Sequence, residues 1–211
     1  MKLYFAPLAC SLATRICAYE AGASIDYTQV DTKQKLLHDG GDFFAINPIG
    51  QVPVLRTNEG WLLTENTAIL PYFADSFPDA QLAPAAGPQR ALLQQWLGFI
   101  STELHKAAFV PLLDPHAPEG AKSYAREKIP LRLGLLQNHF AAHDYLLDRF
   151  SVADAYLIAV LNWAPYSGVD LAQWPAVHAY YQRMLQRASV AQAVAEEVAM
   201  YRDEQSRRAK A

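Results

Sequence analysis

The stretch Leu8-Ala9-Cys10-Ser11-Leu12 sets a thiol beside the start of a helix, where free backbone N–H groups and the helix dipole favour negative charge. Ser11 is placed to cap those donors. A sulfur anion, that of Cys10 or that of a bound thiol, is stabilised at such a corner; the plainer reading is a small buried residue at a strand-to-helix turn. Tyr4, inside the preceding strand, is expected to pack. Farther along, Glu65-Asn66 combine a carboxylate with a helix amino end, suited to the charged groups of a small ligand or to simple capping. On a later helix Gly98, Thr102, His105 and Phe109 fall on one face with Lys106 beside them, so a histidine and a cation can overlook one cleft. A lone histidine on a helix is more often a surface or core residue, and that reading stays open.

The elements that must hold these groups follow from periodicity. Lys2-Leu3-Tyr4-Phe5 is a short apolar strand that turns at Pro7. Leu12 to Ala21 has helical composition, with Gly22 as a stop signal, and Ile25 to Val30 alternates as a strand, which completes a βαβ unit. Lys33 to Phe44 is polar and predicts an irregular or short helical segment, followed by a turn at Asn47-Pro48-Ile49-Gly50. Val54–Thr57 and Trp61–Leu63 flank Asn58-Glu59-Gly60, the signature of an antiparallel hairpin. A helix then opens at Thr64-Glu65-Asn66; Pro71 inside it predicts a kink or an irregular first half. Residues 75–87, with prolines and no period, form a linker.

From Pro88 onward no strand pattern appears. Segments 88–113, 120–142, 152–164 and 174–187 carry apolar residues at helical spacing, which predicts five or so helices, with a bend at Pro130. Ser151-Val152-Ala153-Asp154 is a capping box with Phe150 placed as its staple, a structural motif. The charged tail from Tyr201 is expected to fray. The order predicts an α/β thioredoxin-like N-terminal domain (1–78), a linker (79–87) and an all-α C-terminal domain (88–211).

Composition narrows the function classes. The 211 residues, 52% hydrophobic and 18% charged, describe a soluble globular protein, and a net charge of −3 argues against nucleic acid as a partner. No apolar run approaches the roughly 18 residues of a membrane span, and the start does not read as a signal peptide, so a cytoplasmic location without membrane association is expected. Cys10 and Cys17, two helical turns or roughly 10 Å apart, are too distant for a disulfide and fit no metal-ligand spacing. Cys17, beside Leu12 and Ile16, is expected to pack in the core.

MKLYFAPLACSLATRI, NPIGQVPVL followed by LTENTAIL, and FSVADAYL together resemble the cytosolic glutathione transferases, most closely the bacterial beta class. The resemblance covers essentially the whole chain. It implies an enzyme that joins the thiolate of glutathione, its co-substrate, to a small apolar electrophile, with no metal, in a homodimer where the first domain of one chain packs on the helical domain of the other. Cys10, Ser11 and His105 become the expected catalytic residues; Cys10 donates a hydrogen bond to the glutathione sulfur or exchanges with it, and Tyr4 is the rival activating group, since other classes of the family use a tyrosine from this region. A cis Val52-Pro53 bond, read from the residues alone as a proline-tolerant edge strand, would turn the Val52 backbone toward the tripeptide. Lys35, Val52, Pro53, Glu65, Asn66, Thr102 and Lys106 are the implied glutathione-binding set, and Phe109, Pro111, Trp163 and Tyr166 the electrophile pocket. A glutathione-dependent thiol-disulfide oxidoreductase using Cys10, and a non-catalytic ligand-binding relative, are the alternatives. Two departures from the family pattern stand out: Leu147 replaces the usual glycine before the capping box, and Gly98 replaces a polar residue on the long helix.

Overall fold

Alternation in β1 (Lys2–Phe5) sends Leu3 and Phe5 to one face of a sheet and Tyr4 to the other. The computed structural model, which describes residues 1–209, makes β1 the middle of five strands ordered β3-β2-β1-β4-β5. β1 runs parallel to β2 (Asp26–Asp31) and antiparallel to β4 (Val54–Arg56), which pairs antiparallel with β5 (Leu62–Thr64). Leu3 and Phe5 pack with Leu55 and Ile69, while Tyr4 packs with Val30, Phe43 and Val54. The Tyr4 ring is buried against Phe43, away from any role at the thiol corner. α1 (Leu12–Glu20) is buried along most of its length, Cys17 included, and α2 (Asn66–Ser76) follows β5 directly. This is the expected thioredoxin-like arrangement.

Segment 33–44 differs from expectation. Leu36–Leu37 form β3, antiparallel to β2, and Phe43–Ala45 make a single 3-10 turn capped by Asp42. Two short apolar residues at a sheet edge carry too little pattern to be seen among polar neighbours. α2 runs unbroken through Pro71, and α5 (Glu119–Phe140) through Pro130. The carbonyls that lose their helical donors belong to Thr67 and Arg126, both exposed residues, so water can replace the missing N–H.

The second half holds seven α-helices among the described residues: α3 (Gly87–Phe99), α4 (Val110–Leu113), α5, α6 (Val152–Leu161), α7 (Ala164–Ser167), α8 (Pro175–Leu185) and α9 (Ala188–Arg208). α3 continues into α4 through a π-helical stretch, Ile100–Phe109, which a 3.6-residue period does not anticipate. The tail from Tyr201, expected to fray, is helical as far as Arg208; residues 210–211 of that expectation lie outside the described residues. Arg208 pairs with Asp31 of β2 at 3.1 Å and with Glu204, and Gln29 Nε2 donates to Glu204 at 3.1 Å, so ion pairs invisible in the local sequence tie the last turns to the sheet.

α6 is buried at every position and anchors one continuous core with α1, α2 and the other helices. Its capping box is present. The buried Asp154 accepts from the Ser151 N–H and hydroxyl, each at 2.9 Å, from the Leu146 N–H at 3.0 Å and from the Tyr180 hydroxyl at 2.9 Å. Leu147 does not take a positive φ, so the loop needs no glycine there.

Candidate functional site

A cleft opens where the α1 and α2 amino ends meet the turn before β4 and the π-helical stretch. Cys10, Val52, Pro53, Glu65, Asn66, His105 and Lys106 all line it. The turn is held from within: Asn47 Nδ2 donates to the Gln51 carbonyl at 2.7 Å and Gly50 N–H to the Asn47 carbonyl at 2.8 Å. Gly50 sits at φ +64°, and a Cβ there would stand 2.8 Å from a Phe44 ring carbon, so glycine is required. The Val52-Pro53 bond that follows is cis, and the Cys10 thiol donates to the Val52 carbonyl at 3.5 Å. Across the cleft Glu65 adopts φ +65°, a costly conformation for a residue with a side chain, and its exposed carboxylate stands at the start of α2. Asn66 Nδ2 donates to the Cys10 carbonyl at 3.0 Å, while its buried Oδ1 has no protein partner. That orphan acceptor fits a donor from a bound ligand.

Burial pushes the Cys10 thiol up to about 12, against the pull of the nearby Lys106 cation. Burial therefore favours the protonated thiol at neutral pH, the form that donates to the Val52 carbonyl. Burial, reinforced by Lys106, holds His105 down to about 4, so its ring is neutral. His105 Nδ1 lies 2.8 Å from the Tyr156 hydroxyl. Burial raises the Tyr156 pKa, so the hydroxyl keeps its proton, and the assignment that fits a neutral ring has it donating to Nδ1. His105 then carries its own proton on Nε2. Lys106 Nζ donates to Gln51 Oε1 at 3.4 Å. The cleft thus combines a thiol donor, a neutral imidazole and a cation.

The loop ahead of Cys10 is gripped from two sides. Leu8, at φ +61°, donates its N–H to Glu197 Oε2 at 2.7 Å and accepts at its carbonyl from the Trp163 indole N–H at 2.8 Å. Glu197 in turn accepts from Arg15 Nε at 2.8 Å, and the Arg15 guanidinium lies over the Tyr27 and Phe5 rings at 4.0 and 4.5 Å. Beyond this loop a second groove, of about 440 Å³, is lined by Leu8, Ala9, Leu113, Trp163, Tyr166 and Tyr201. The Trp163 ring of this groove meets the His105 ring of the cleft at 4.9 Å, and Leu8-Ala9 line the groove next to Cys10 in the cleft, so the two hollows adjoin along the Leu8–Cys10 ridge.

Several expected residues stand elsewhere. Ser11 is fully buried, its hydroxyl bonded to the Ala6 N–H and carbonyl at 3.3 and 3.2 Å; it neither caps α1 nor reaches the cleft, because the turn at Pro7 folds β1's end over it. Thr102 is exposed and bonds back to the Gly98 carbonyl at 2.9 Å, outside the cleft, since the π-helical stretch breaks the face that α-helical spacing predicts. Lys35 Nζ donates to the Gly50 carbonyl at 2.9 Å and so braces the turn, without lining the cleft itself. Phe109 is wholly buried behind Trp163, and Leu113 rather than Pro111 lines the groove. A Cβ on Gly98 would meet open space, so its lack of a side chain reflects no packing demand. Gln51, Tyr156 and Tyr201 are additions. A hydroxyl inside the apolar run of α6 was a readable signal for Tyr156; Tyr201 had none.

A thioredoxin-like half joined to a helical half, with a thiol at the first strand-to-helix corner and a cis proline facing it, defines a thiol-handling class of protein. The chain belongs to the glutathione S-transferase family and is an enzyme of that class: residues 1–75 match the family's N-terminal domain and residues 100–188 its C-terminal domain. It is 41% identical over 199 residues to the glutathione S-transferase GstA of Escherichia coli O157:H7, covering 93% of this chain and 98% of that protein. A sphingomonad glutathione S-transferase solved in complex with glutathione superposes with a TM-score of 0.88 at 43% identity, covering 93% of this chain and 98% of the other. The beta-class enzyme of Sphingomonas chungbukensis gives 0.89 at 41% identity, with the same coverage. Among the described residues no group of acidic, histidine or cysteine side chains is arranged to hold a metal ion, and no helix is long and apolar enough to cross a membrane.

Proposed function

We propose that this enzyme binds glutathione in the cleft at Cys10 and transfers its thiolate to apolar electrophiles held in the neighbouring groove. The convergence of Cys10, Val52-Pro53, Glu65-Asn66, His105 and Lys106 on one cleft carries the reading. Glu65 and the α2 amino end suit the amino and carboxylate groups of a γ-glutamyl moiety, and Val52 offers backbone to an extended peptide. The Cys10 thiol, the His105 Nε2–H and the Lys106 cation lower the pKa of a sulfur placed among them by stabilising its anion. The thiolate then attacks an electrophilic carbon across the Leu8–Cys10 ridge, and the leaving group departs into the open groove. Burial of Cys10 as a neutral thiol weighs against a disulfide-exchange mechanism, which needs it as a thiolate.

The test is conjugation of glutathione to an aryl halide together with retention on immobilised glutathione; failure of both removes this reading. A homodimer fits the exposed Trp61 and Leu62 at the start of β5 and the exposed Leu131 and Leu135, one turn apart on α5. Sedimentation at micromolar concentration should give twice the 23.4 kDa chain mass. We place the domain division at 1–78 and 88–211, with 79–87 as linker, and the enzyme in the cytoplasm.

A further inference from the structure

Every position of α6 is buried, and Tyr156 brings a hydroxyl into that apolar run, so the hydroxyl needs a partner. It finds one on the π-helical stretch: its oxygen stands 2.8 Å from His105 Nδ1, and the two rings meet edge to face at 6.0 Å and 87°. The Trp163 ring touches the same imidazole at 4.9 Å and 62°, so two aromatic contacts fix its orientation. Burial keeps the proton on the Tyr156 oxygen, against the pull of the Ser101 and Asn66 side chains beside it. Burial, and then the Lys106 cation, keep the imidazole neutral. A neutral ring can meet this hydroxyl in two ways. If Nδ1 accepts from Tyr156, Nε2 carries the ring proton and His105 is a donor toward the cleft. If Nδ1 is protonated, Nε2 offers a lone pair and His105 is a base.

We infer that Tyr156 is a positioning residue for the reaction: its hydroxyl donates to His105 Nδ1, which fixes His105 as a hydrogen-bond donor to the glutathione thiolate and bars it from acting as the base. Tyr156 acts through the imidazole and does not meet the sulfur itself. The proton that the bound thiol loses passes to water, and His105 stays neutral throughout. The inference deepens the glutathione-binding reading above and rests on it.

Nitrogen-15 NMR of the full chain, labelled at its six histidines and with His105→Ala to assign the signal, reads the tautomer directly and needs no glutathione. The expected result is a bare, hydrogen-bonded Nδ1 and a protonated Nε2, with Nδ1 losing its hydrogen-bond shift in Tyr156→Phe. A protonated Nδ1 in the parent would overturn the inference. The second measurement is the bound-thiol pKa, from the ultraviolet thiolate absorbance of the glutathione complex. Tyr156→Phe keeps the buried ring and should raise that pKa by about half to one unit, so kcat/KM for glutathione falls roughly three- to ten-fold at a pH below it, the value of one hydrogen bond. The loss should close above about pH 9, where the thiol ionises unaided. In a His105→Ala background the same substitution should move the pKa no further. An unmoved pKa with only a loss of stability would show a packing role, and an equal rise without His105 would put the phenol on the sulfur; either overturns the inference while leaving glutathione binding intact. A parent that binds no glutathione removes both.

Discussion

Glu197 ties the distant α9 to the loop that carries the thiol, and replacing it with alanine tests whether the corner is built from outside the first domain. The substitution removes the acceptor of the half-buried Leu8 N–H and the main partner of the buried Arg15. Losing one partner of a buried ion pair costs about 3–5 kcal/mol, and an orphaned buried N–H about 1–3 kcal/mol. These do not add, because Arg15 keeps Glu196 at 3.3 Å and the faces of Phe5 and Tyr27. The lower part of the range applies, about 3 kcal/mol. Glu197→Gln keeps an acceptor for Leu8 and should cost less, about 1–2 kcal/mol. Urea unfolding at fixed protein concentration is the assay; at a slope of about 2 kcal/mol per molar urea the alanine midpoint falls by roughly 1.5 M. A reduced kcat/KM at temperatures where the variant remains folded should accompany it, since Leu8 borders Cys10. A midpoint within about 0.5 M of the parent, with unchanged kcat/KM, would refute the role assigned to Glu197.

Other expectations follow from the same geometry. Burial holds His105 at about 4, below its ordinary 6.5, so the unfolded chain takes the proton first as pH falls. Its contribution to stability is therefore full above about pH 6.5 and is lost as pH falls toward 4, on the order of 2–3 kcal/mol in all; unfolding measured across this window in the parent and in His105→Gln should show that slope only in the parent. For the same reason no acid limb near pH 6 in kcat/KM should disappear with His105→Gln. Asp154→Ala leaves four buried donors, the Leu146 N–H, the Ser151 N–H and hydroxyl and the Tyr180 hydroxyl, without their acceptor, and should lower stability by more than about 4 kcal/mol in the same urea assay, or prevent folding. Alkylation of Cys10 by iodoacetamide should be slow at pH 7 and accelerate toward pH 10, because burial keeps it a thiol; fast alkylation at pH 7 would show a thiolate.

The first half of the fold was legible because its strands alternate and its turns carry glycine, proline and asparagine at the positions the backbone demands. The cis Val52-Pro53 bond came from family resemblance, since the residues alone allowed an edge strand. Cys10, His105 and Lys106 were recognisable by type, and helical spacing with the family resemblance brought them to one cleft; the π-helical stretch that carries the histidine and the cation was not legible, because no simple period reveals it. Thr102 shows the consequence: it lies on the predicted face and outside the actual cleft. Ser11 failed for a local reason, its hydroxyl being captured by Ala6. The order of the α9 end was hidden more deeply, because Glu204 and Arg208 pair with residues about 175 positions earlier, beyond the reach of any window along the chain.

The central claim is that the cleft stabilises a bound thiolate with Cys10 beside it as a neutral donor. Its most direct measurement is the ultraviolet thiolate absorbance of the glutathione complex as a function of pH, in the parent and in Cys10→Ala. The account predicts a bound-thiol pKa at least about one unit below the roughly 8.5 of a free thiol, and an upward shift of less than about one unit on removing Cys10, the value of a single hydrogen bond. A bound thiol that titrates like free glutathione, or a signal that vanishes with Cys10, would contradict it.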